Sequence, residues 1–292
     1  MPGILDVQRF GPEDAPLRLV IEVPHGATEA ADFAGLETQL VGPQPDGLIE
    51  FFNVNTDVGA PELAAAVARR LVGRASVIVL RCRIPRTFVD TNRCLNEDVQ
   101  SVETSAVAGR VTPGLAPWLS DPADQRHLVQ LHQAYTEAVD SVLRAALPSA
   151  GLFLLHSYAP RSVDVRVSDR IVEDLRAAYA PDAVDAWPLR PPIDVIHRLP
   201  DGTSLAPEGA VETLRRAFGG VESVGDNLTY PLHPVTMGYH HAVRWPGRVL
   251  CLEVRRDLLA DPFIPLQPAT ISPAKVERLA NPLARALATL LD

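Results

Sequence analysis

The stretch Leu17-Arg-Leu-Val-Ile-Glu-Val23-Pro24-His25-Gly26 joins an apolar run of strand length to a turn that carries a histidine. Such a run predicts a β-strand, and its largely apolar character is typical of a central strand covered on both faces. Proline and glycine around His25 favour a turn at the end of the strand, so the imidazole can project from the edge of the sheet. Open α/β sheets bind their ligands at that edge.

Similar apolar runs elsewhere in the chain predict five more strands, with helical patterns between them. The strands are predicted at residues 48–54, 76–82, 151–156, 194–198 and 249–255. The helices are predicted at residues 61–72, 124–147, 168–179, 207–218 and 273–290. Alternation of strands and helices predicts an α/β fold with three layers. The loops at 112–124 and 187–192 give no clear interdomain linker, so we expect one domain over residues 1–292.

Composition excludes several classes of function. The net charge of -9 disfavours nucleic acid and anionic membranes as partners. The apolar runs are far shorter than a membrane span, and the N-terminus lacks the pattern of a signal peptide, so we expect a cytoplasmic protein. Three widely separated cysteines fit a reducing compartment. Lys275 is the only lysine, which argues against Schiff-base chemistry.

A second histidine repeats the position of His25. The apolar run from Gly151 to Leu155 leads into His156, so both imidazoles are expected at strand ends. Neutral ring nitrogens suit zinc, although a lone histidine more often caps a turn. A third ligand must come from elsewhere, and Asp57 and Glu29 are the candidates. Asp57 is favoured over Glu29, despite the alternative that it caps the following helix.

The segment Arg86-Thr-Phe-Val-Asp90-Thr-Asn92-Arg93 predicts a binding site for a carboxylate. Guanidinium groups bind carboxylates through two parallel hydrogen bonds, and Asp90 can hold one of the arginines in position. The alternative is a surface loop whose charges pair with one another and contribute little to stability.

Glu253 interrupts an apolar strand. A buried carboxylate is costly unless it is paired, bonded or functional. Pairing with Arg255 or Arg256 is the structural alternative. We predict instead that Glu253 is the general base that takes a proton from water beside the metal.

The segment from Asn227 to His241 is rich in aromatic residues and histidines, and it predicts a loop that faces the substrate. Tyr239 or His240 is the candidate to bind the scissile oxygen or the leaving group. A solvated histidine pair is the alternative.

In this order the segments resemble the N-formylglutamate amidohydrolase family, whose relatives are the zinc carboxypeptidases and aspartoacylase. The similar segments are Val23-Pro24-His25-Gly26, Asn55-Thr56-Asp57, the block from Arg86 to Arg93, Leu154-Leu155-His156-Ser157, and Leu252-Glu253-Val254-Arg255. The resemblance implies an α/β/α sandwich with a mixed, mostly parallel central sheet, as in zinc carboxypeptidases.

The resemblance also implies the roles of the site residues. It implies one zinc ion per chain, held by His25, His156 and a carboxylate, with Glu253 as the base. It implies that Arg86, Asn92 and Arg93 bind the carboxylate of a small substrate or polarise its carbonyl.

The chain departs from the family pattern at two places. Leu154 stands where the family has an aspartate, and the segment near Thr236 lacks the family's arginine. We therefore expect hydrolysis of another amide or related C–N bond, in an N-acyl amino acid for example. The alternatives are a zinc peptidase or peptide-modifying hydrolase, and a carboxylate-binding protein of the same fold without catalysis.

Overall fold

The structure is a computed structural model, and it describes residues 3–95, 114–147 and 149–291. The described residues form one seven-stranded sheet, flanked by helices. The strands are β1 (Leu5–Phe10), β2 (Leu17–Val23), β3 (Ser76–Cys82), β4 (Gly151–Tyr158), β5 (Ile193–Ile196), β6 (Val224–Asp226) and β7 (Val249–Arg255). The helices are α1 (Ala30–Glu37), α2 (Leu48–Asn55), α3 (Ala60–Leu71), α4 (Pro122–Ala146), α5 (Ile171–Ala178), α6 (Ala210–Phe218), α7 (Met237–Arg244) and α8 (Pro273–Leu291).

The sheet is mixed, and its strand order is β1-β3-β2-β4-β7-β5-β6. The four central strands β3, β2, β4 and β7 are parallel to one another. At one side β1 joins β3 in the antiparallel sense, and at the other β5 joins β7 in the same way. The predicted mixed, mostly parallel sheet is confirmed. The carboxyl ends of β2, β4 and β7 therefore lie side by side, which brings their terminal side chains to one edge.

Helices cover both faces of the sheet, so the predicted three layers are confirmed. A separate hydrophobic core lies on each face of the sheet. Leu19 and Ile21 of β2 pack into one core, and Val20 packs into the other. The first core lies against α3, α6 and α8. The second lies against α1, α2, α4, α5 and α7. His156 and Glu253 point to the second face, since they continue the alternation of Leu154 and Cys251.

The strand predicted at residues 48–54 is wrong, because this segment is the helix α2. Its buried side chains are Leu48, Phe51 and Phe52, which follow helical spacing rather than the alternation of a strand. Phe51 packs edge-to-face against Trp118, and Phe52 lies 5.3 Å from the ring of Phe33. The aromatic side chains of this segment therefore pack on one face of a helix.

The remaining predicted elements are present, with shifted ends at several of them. β2 and β3 have the predicted bounds, and the predicted strands at 151–156, 194–198 and 249–255 are found as β4, β5 and β7. The sequence reasoning missed β1, β6, α1 and α7. The outer strand β1 is largely exposed and polar, so it has no apolar run. Part of the predicted loop at 112–124 lies outside the described residues, and α4 begins at Pro122 within it.

Two structural details agree with the composition. Burial raises the pKa of the Cys82 and Cys251 thiols to about 12, as expected of inert core cysteines. Among the described helices, none combines the length and the apolar character that crossing a membrane requires.

Candidate functional site

The carboxyl ends of β2, β4 and β7 bring His25, His156 and Glu253 together. His156 and Glu253 are direct partners in the register of β4 and β7, so their side chains leave the sheet next to each other. His25 follows β2 in a turn closed by the hydrogen bond from Gly26 N to Val23 O. A Cβ on Gly26 would come within 2.7 Å of the Arg81 side chain, so glycine is needed for this close turn. The two imidazole centroids are 5.0 Å apart.

The loop between α2 and α3 carries Asp57 to the two histidines. Its backbone is tied to the His25 turn, because Asp57 N donates to His25 O at 3.2 Å and Thr56 Oγ1 donates to Ala27 O at 2.6 Å. Asp57 does not cap α3, whose first turn is preceded by Gly59 in the left-handed region at φ 80°. The Asp57 carboxylate is therefore free to face the imidazoles.

His25, His156 and Asp57 form a buried group with the geometry of a metal site. Asp57 Oδ2 lies 2.9 Å from His156 Nδ1 and 3.4 Å from His25 Nδ1. One ligand atom from each residue lies within 4.8 Å of the others. Two imidazole nitrogens and a carboxylate oxygen are donors that suit zinc. This arrangement is compatible with a metal ion.

The competing carboxylate, Glu29, points elsewhere. Glu29 Oε1 accepts a hydrogen bond from Arg81 Nη2 at 2.9 Å, and the Glu29 side chain is half exposed. It lies at the start of α1, where Arg81 and Arg83 pair with it and with Asp32. The described structure thus brings Asp57, rather than Glu29, to the histidines.

Asp90 fixes the orientation of the His25 ring. Its Oδ1 lies 2.7 Å from His25 Nε2, and both side chains are buried. Since an ionised carboxylate only accepts, His25 Nε2 donates to Asp90, and in the neutral tautomer of this ring Nδ1 presents its lone pair. Nδ1 is buried and has no hydrogen-bond partner in the described structure. A buried nitrogen without a partner is costly, and a metal ion at this place would satisfy it.

Asp90 also holds the two arginines of its segment. Its Oδ2 lies 2.9 Å from Arg86 Nε and 3.7 Å from Arg93 Nη1. Burial alone would raise the pKa of the Asp90 carboxyl, but Arg86, Arg93 and His25 hold that pKa well below its usual value. Asn92 is placed by two further bonds, from its own N to Asp90 Oδ1 and from Gly238 N to its Oδ1. The predicted carboxylate-binding segment is therefore a rigid block connected to the His25 turn.

Arg256 is a residue that the sequence reasoning considered only as a partner of Glu253. It is buried and lies behind Asp57, with Nη2 3.6 Å from Asp57 Oδ1. The same guanidinium donates to Ser157 O at 3.0 Å and to Val54 O. Arg256 therefore connects the Asp57 carboxylate to the backbones of β4 and α2. No local pattern in the sequence indicates this, because the partners are far apart in the chain.

Glu253 is the acid that interrupts the apolar strand, and it is partly buried in β7. Neither neighbouring arginine pairs with it, since Arg255 binds Asp257 through two bonds of 2.8 and 3.0 Å and Arg256 faces Asp57. Glu253 Oε2 is buried and has no hydrogen-bond partner among the described residues. Burial raises the pKa of the Glu253 carboxyl, which His156 opposes and Asp57 reinforces.

A cavity of about 260 Å³ opens beside these groups. Its polar lining includes His25, His156, Glu253 and five arginines, which are Arg86, Arg93, Arg161, Arg190 and Arg256. Asn92 lines it as well. The pocket therefore lies at the predicted edge of the sheet, and six of the predicted site residues line it.

Arg190 is a cavity residue that the sequence reasoning missed. It lies within the predicted loop at 187–192, and its guanidinium donates to Ser162 Oγ at 3.0 Å, Tyr230 OH at 2.7 Å and Ala159 O at 3.4 Å. The rings of Tyr158 and Tyr230 lie 5.1 and 5.5 Å from its Cζ. All of these partners are neutral, so they orient the guanidinium without neutralising its charge.

Tyr239 and His240 lie on a helix, so the predicted loop is wrong for this part of the segment. α7 begins after Thr236, whose Oγ1 accepts from Tyr239 N at 3.2 Å. The Tyr239 and His240 rings pack edge-to-face, 5.3 Å apart. In the described structure neither lines the cavity, whereas their neighbours His233, Thr236 and Gly238 do.

The model of one protein family, N-formylglutamate amidohydrolase, matches residues 17–260. The chain belongs to the N-formylglutamate amidohydrolase family. The resemblance in the sequence is thereby confirmed. No curated protein matches the sequence.

Two solved structures share the fold over nearly the whole chain. The N-formylglutamate amidohydrolase from Ralstonia eutropha JMP134 is 18% identical, with a TM-score of 0.58, over 99% of this chain and 96% of its own. A gene product of Agrobacterium tumefaciens is 15% identical, with a TM-score of 0.51, over 99% of this chain and 94% of its own. At these identities the likeness shows the fold.

The departure at Leu154 has a structural counterpart on the next strand. Leu154 is buried in β4, and its partner in the register of β2 is Glu22. Glu22 is buried as well, and Tyr135 OH donates to its Oε1 at 2.8 Å. An acid is thus present one strand away from the position where the family pattern has its aspartate. It lies on the face of the sheet that carries His156 and Glu253.

Proposed function

We propose that this chain is a zinc-dependent hydrolase that cleaves an amide or related C–N bond of a small substrate with a carboxylate, such as an N-acyl amino acid. It acts as one domain over residues 1–292, in the cytoplasm. One observation carries the proposal: His25 Nδ1 and Glu253 Oε2 are both buried without a hydrogen-bond partner, and both residues line one cavity. Folded proteins retain such groups at functional sites.

His25, His156 and Asp57 are the proposed ligands of one zinc ion per chain. Their donor set fits zinc, and the orphaned Nδ1 of His25 gains a partner when the ion is bound. Zinc at this place supplies Lewis acidity, which makes water a better nucleophile and polarises a carbonyl. Asp90 and Arg256 are positioning residues. Asp90 contacts His25 at Nε2, and Arg256 contacts Asp57 at Oδ1, so each orients one proposed ligand.

Glu253 is the proposed general base. It takes a proton from the water that attacks the acyl carbon, and it gives this proton to the leaving nitrogen as the C–N bond breaks. The products are a carboxylic acid and an amine. The raised pKa of Glu253 suits this role, because it makes the carboxylate a stronger base toward water, and the proton that it takes up is then available to the leaving nitrogen.

The arginines are the proposed anchors of the substrate. Arg86 polarises the carbonyl and stabilises the negative charge that develops on its oxygen. Asn92 and Arg93 bind the substrate's carboxylate, and the bonds to Asp90 hold both in place. Arg190, whose partners are neutral, adds a positive charge on the cavity wall. The predicted contact of Tyr239 or His240 with the substrate stays a prediction.

The size of the cavity favours a small substrate over a polypeptide. Its volume of about 260 Å³ is slightly below the range of roughly 300 to 1,000 Å³ that is typical of small-molecule sites. Hydrolysis of a small amide is therefore preferred to peptidase activity.

Metal analysis of variants tests the proposal. We would measure zinc per chain in the wild type, His25→Ala, Asp57→Ala and the control His197→Ala, whose histidine also follows a strand but is bonded elsewhere. We expect about one zinc in the wild type and the control, and its loss in the other two variants. Hydrolysis of N-acyl amino acids should follow the zinc content.

Other outcomes would contradict the proposal in different ways. Loss of zinc with His25→Ala but not with Asp57→Ala would overturn the role of Asp57 and direct attention to Glu29. A wild type without zinc, even after zinc is supplied, would overturn the hydrolase mechanism and favour the carboxylate-binding alternative.

A further inference from the structure

One wall of the cavity is built from valines that alternate with charged residues. Val163, Val165 and Val167 all line the cavity, whereas the intervening Asp164 and Arg166 are exposed. This segment lies between β4 and α5, outside any regular strand. Alternation of this kind places successive side chains on opposite sides of an extended backbone. The segment therefore presents a continuous apolar surface to the cavity and its charges to solvent.

The adjoining walls continue this apolar surface. α2 contributes Phe51 and Val54, and α5 contributes Ile171 and Leu175. These two helices pack against each other in the second core. None of these side chains can carry a charge or donate a hydrogen bond. We call these four residues, together with the three valines, the apolar wall.

Arg190 connects the apolar wall to the proposed catalytic end. Its Nε bonds Ser162 Oγ, directly before Val163, so the guanidinium lies at the start of the valine segment. It lines the same cavity as Glu253. The cavity thus has a cationic end at the strand edge and an apolar end along the valines, where the nearby Arg161 is paired with Asp185 at 2.6 Å.

We propose that the substrate is amphiphilic, with its carboxylate and scissile amide at the arginines and an apolar group of about four or more carbons against the apolar wall. This inference rests on the proposed function and names the substrate class within it. A second carboxylate, as in an N-acyl glutamate, would lose its water against the apolar wall without gaining a partner. An aliphatic or aromatic group gains from the same burial.

Two kinds of substrate share this chemistry. The apolar group is either the side chain of the amino acid, as in N-formylleucine, or the acyl chain, as in N-hexanoylglycine. N-formylglutamate is the matched acidic substrate, and N-formylglycine is the small one that leaves the apolar wall empty. These four compounds separate the two sources from each other and from the acidic alternative.

The first measurement is kcat/KM of the zinc-loaded wild type for the four compounds. We expect N-formylleucine or N-hexanoylglycine to exceed N-formylglutamate by about 100-fold or more, the discrimination that a mismatched apolar pocket supplies. The larger of the two values identifies the source of the apolar group. N-formylglutamate equal to or better than both would overturn the inference and leave the proposed function intact.

The second measurement tests the wall itself, with Val165→Asp and the neighbouring control Asp164→Ala. We expect Val165→Asp to lower kcat/KM for the preferred apolar compound by about 10- to 100-fold, and to change that for N-formylglycine about 3-fold or less. Asp164→Ala should match the wild type with both. Equal losses on both compounds in Val165→Asp would contradict a wall that contacts the apolar group.

A binding measurement separates this inference from the proposed function. The Glu253→Gln variant should bind N-formylleucine or N-hexanoylglycine more tightly than N-formylglutamate in calorimetry, again by about 100-fold. If Glu253→Gln shows this preference but the wild type hydrolyses none of the compounds, the proposed function is overturned and the apolar wall is supported. Equal or weaker binding of both apolar compounds would overturn the apolar wall alone.

Discussion

Two groups of histidine and carboxylate side chains follow strands of the same sheet. They differ in how many of their buried polar atoms have a hydrogen-bond partner. The first is the buried group of His25, His156 and Asp57 at the ends of β2 and β4. The second surrounds His197, which directly follows β5. In sequence both consist of a histidine after an apolar run, so the difference between them arises only in three dimensions.

The group around His197 is complete. His197 Nδ1 bonds Ser204 Oγ at 2.8 Å, and Nε2 bonds Asp226 Oδ1 at 2.8 Å. Asp226 also receives two bonds from Arg198, at 3.0 and 3.1 Å. Every polar group has a partner, which is the usual state of a structural network.

The group at His25 is incomplete, although it is the more deeply buried. His25 Nδ1, Glu253 Oε2 and Arg256 Nε are all buried without a hydrogen-bond partner in the described structure. Leaving such groups unsatisfied costs roughly 1–3 kcal/mol each. Between these two groups, unsatisfied polar atoms, rather than the presence of histidine and carboxylate, distinguish the proposed site from the structural network.

The residue types Ser204, His197 and Asp226 also occur in serine hydrolases, where the acid stabilises a protonated histidine. Here Arg198 already neutralises Asp226, and Ser204 is exposed and lines neither described cavity. This second group therefore serves as the control for predictions about the first.

The largest effect is expected for Glu253→Gln. Removal of the proposed base should reduce kcat by about 10²- to 10⁴-fold, while zinc content stays at the wild-type level. The melting temperature of the metal-free protein should not fall, because Glu253 Oε2 is buried without a hydrogen-bond partner, and a neutral amide costs less at this place than a charged carboxylate. Activity assays, elemental analysis and thermal unfolding measure the three quantities.

Retained turnover in Glu253→Gln would contradict the role of Glu253 as the base. Loss of zinc together with activity would instead make Glu253 a ligand or a structural residue. The control, Asp226→Asn, should keep both its turnover and its zinc.

A smaller effect is expected for Asp90→Asn. An amide at this place no longer fixes the proton on His25 Nε2 through an ionic bond, so zinc affinity should fall by about 10- to 100-fold. Competition with a chelator measures this affinity. Asp226→Asn is the matched control, because it also removes a carboxylate bonded to a histidine. Equal affinities of Asp90→Asn and the wild type would contradict the positioning role of Asp90.

Much of the site could be predicted because its parts are local. The strand-end histidines and the acid in β7 can each be recognised from a few neighbouring residues, because a polar residue stands out within or after an apolar run. Asp57 follows the segment 48–54, which the apolar run predicts as a strand and which is the helix α2. Asp57 nevertheless lies beside the histidines, because the α2–α3 loop reaches the same edge of the sheet.

The missed features depend on distant contacts. Asp90 meets His25 across 65 residues of sequence, and Arg256 meets Val54 across 202. The periodicity of the sequence does not indicate such distant pairs. From the neighbouring residues alone, pairing of Glu253 with Arg256 is also an allowed interpretation. Likewise α7 was missed because its apolar stripe is short and its helix start depends on the Thr236 cap. His197 resembles His25 in sequence, and only its bonds to Ser204 and Asp226 distinguish it.

The smallest effect is expected for the stability of Asp226→Asn. The bonds from Arg198 and His197 lower the pKa of Asp226 from its ordinary value of 3.8 to about 2. A carboxyl with a lowered folded-state pKa stabilises the fold above its unfolded pKa and loses this contribution as pH falls through the folded pKa. Because Asp226 is partly exposed, solvent screens the interaction, and the variant should lose only about 1 kcal/mol or less at pH 7.

The pH dependence of that loss makes the prediction specific. Urea unfolding of the wild type and Asp226→Asn should give a constant difference in the free energy of unfolding from about pH 7 to about pH 5. The difference should shrink between about pH 4 and about pH 2, where the wild-type carboxylate becomes protonated. A difference that persists unchanged at about pH 2 would mean that packing, rather than charge, stabilises this group. A simultaneous loss of zinc would mean that the two groups are coupled, which would remove the contrast between them.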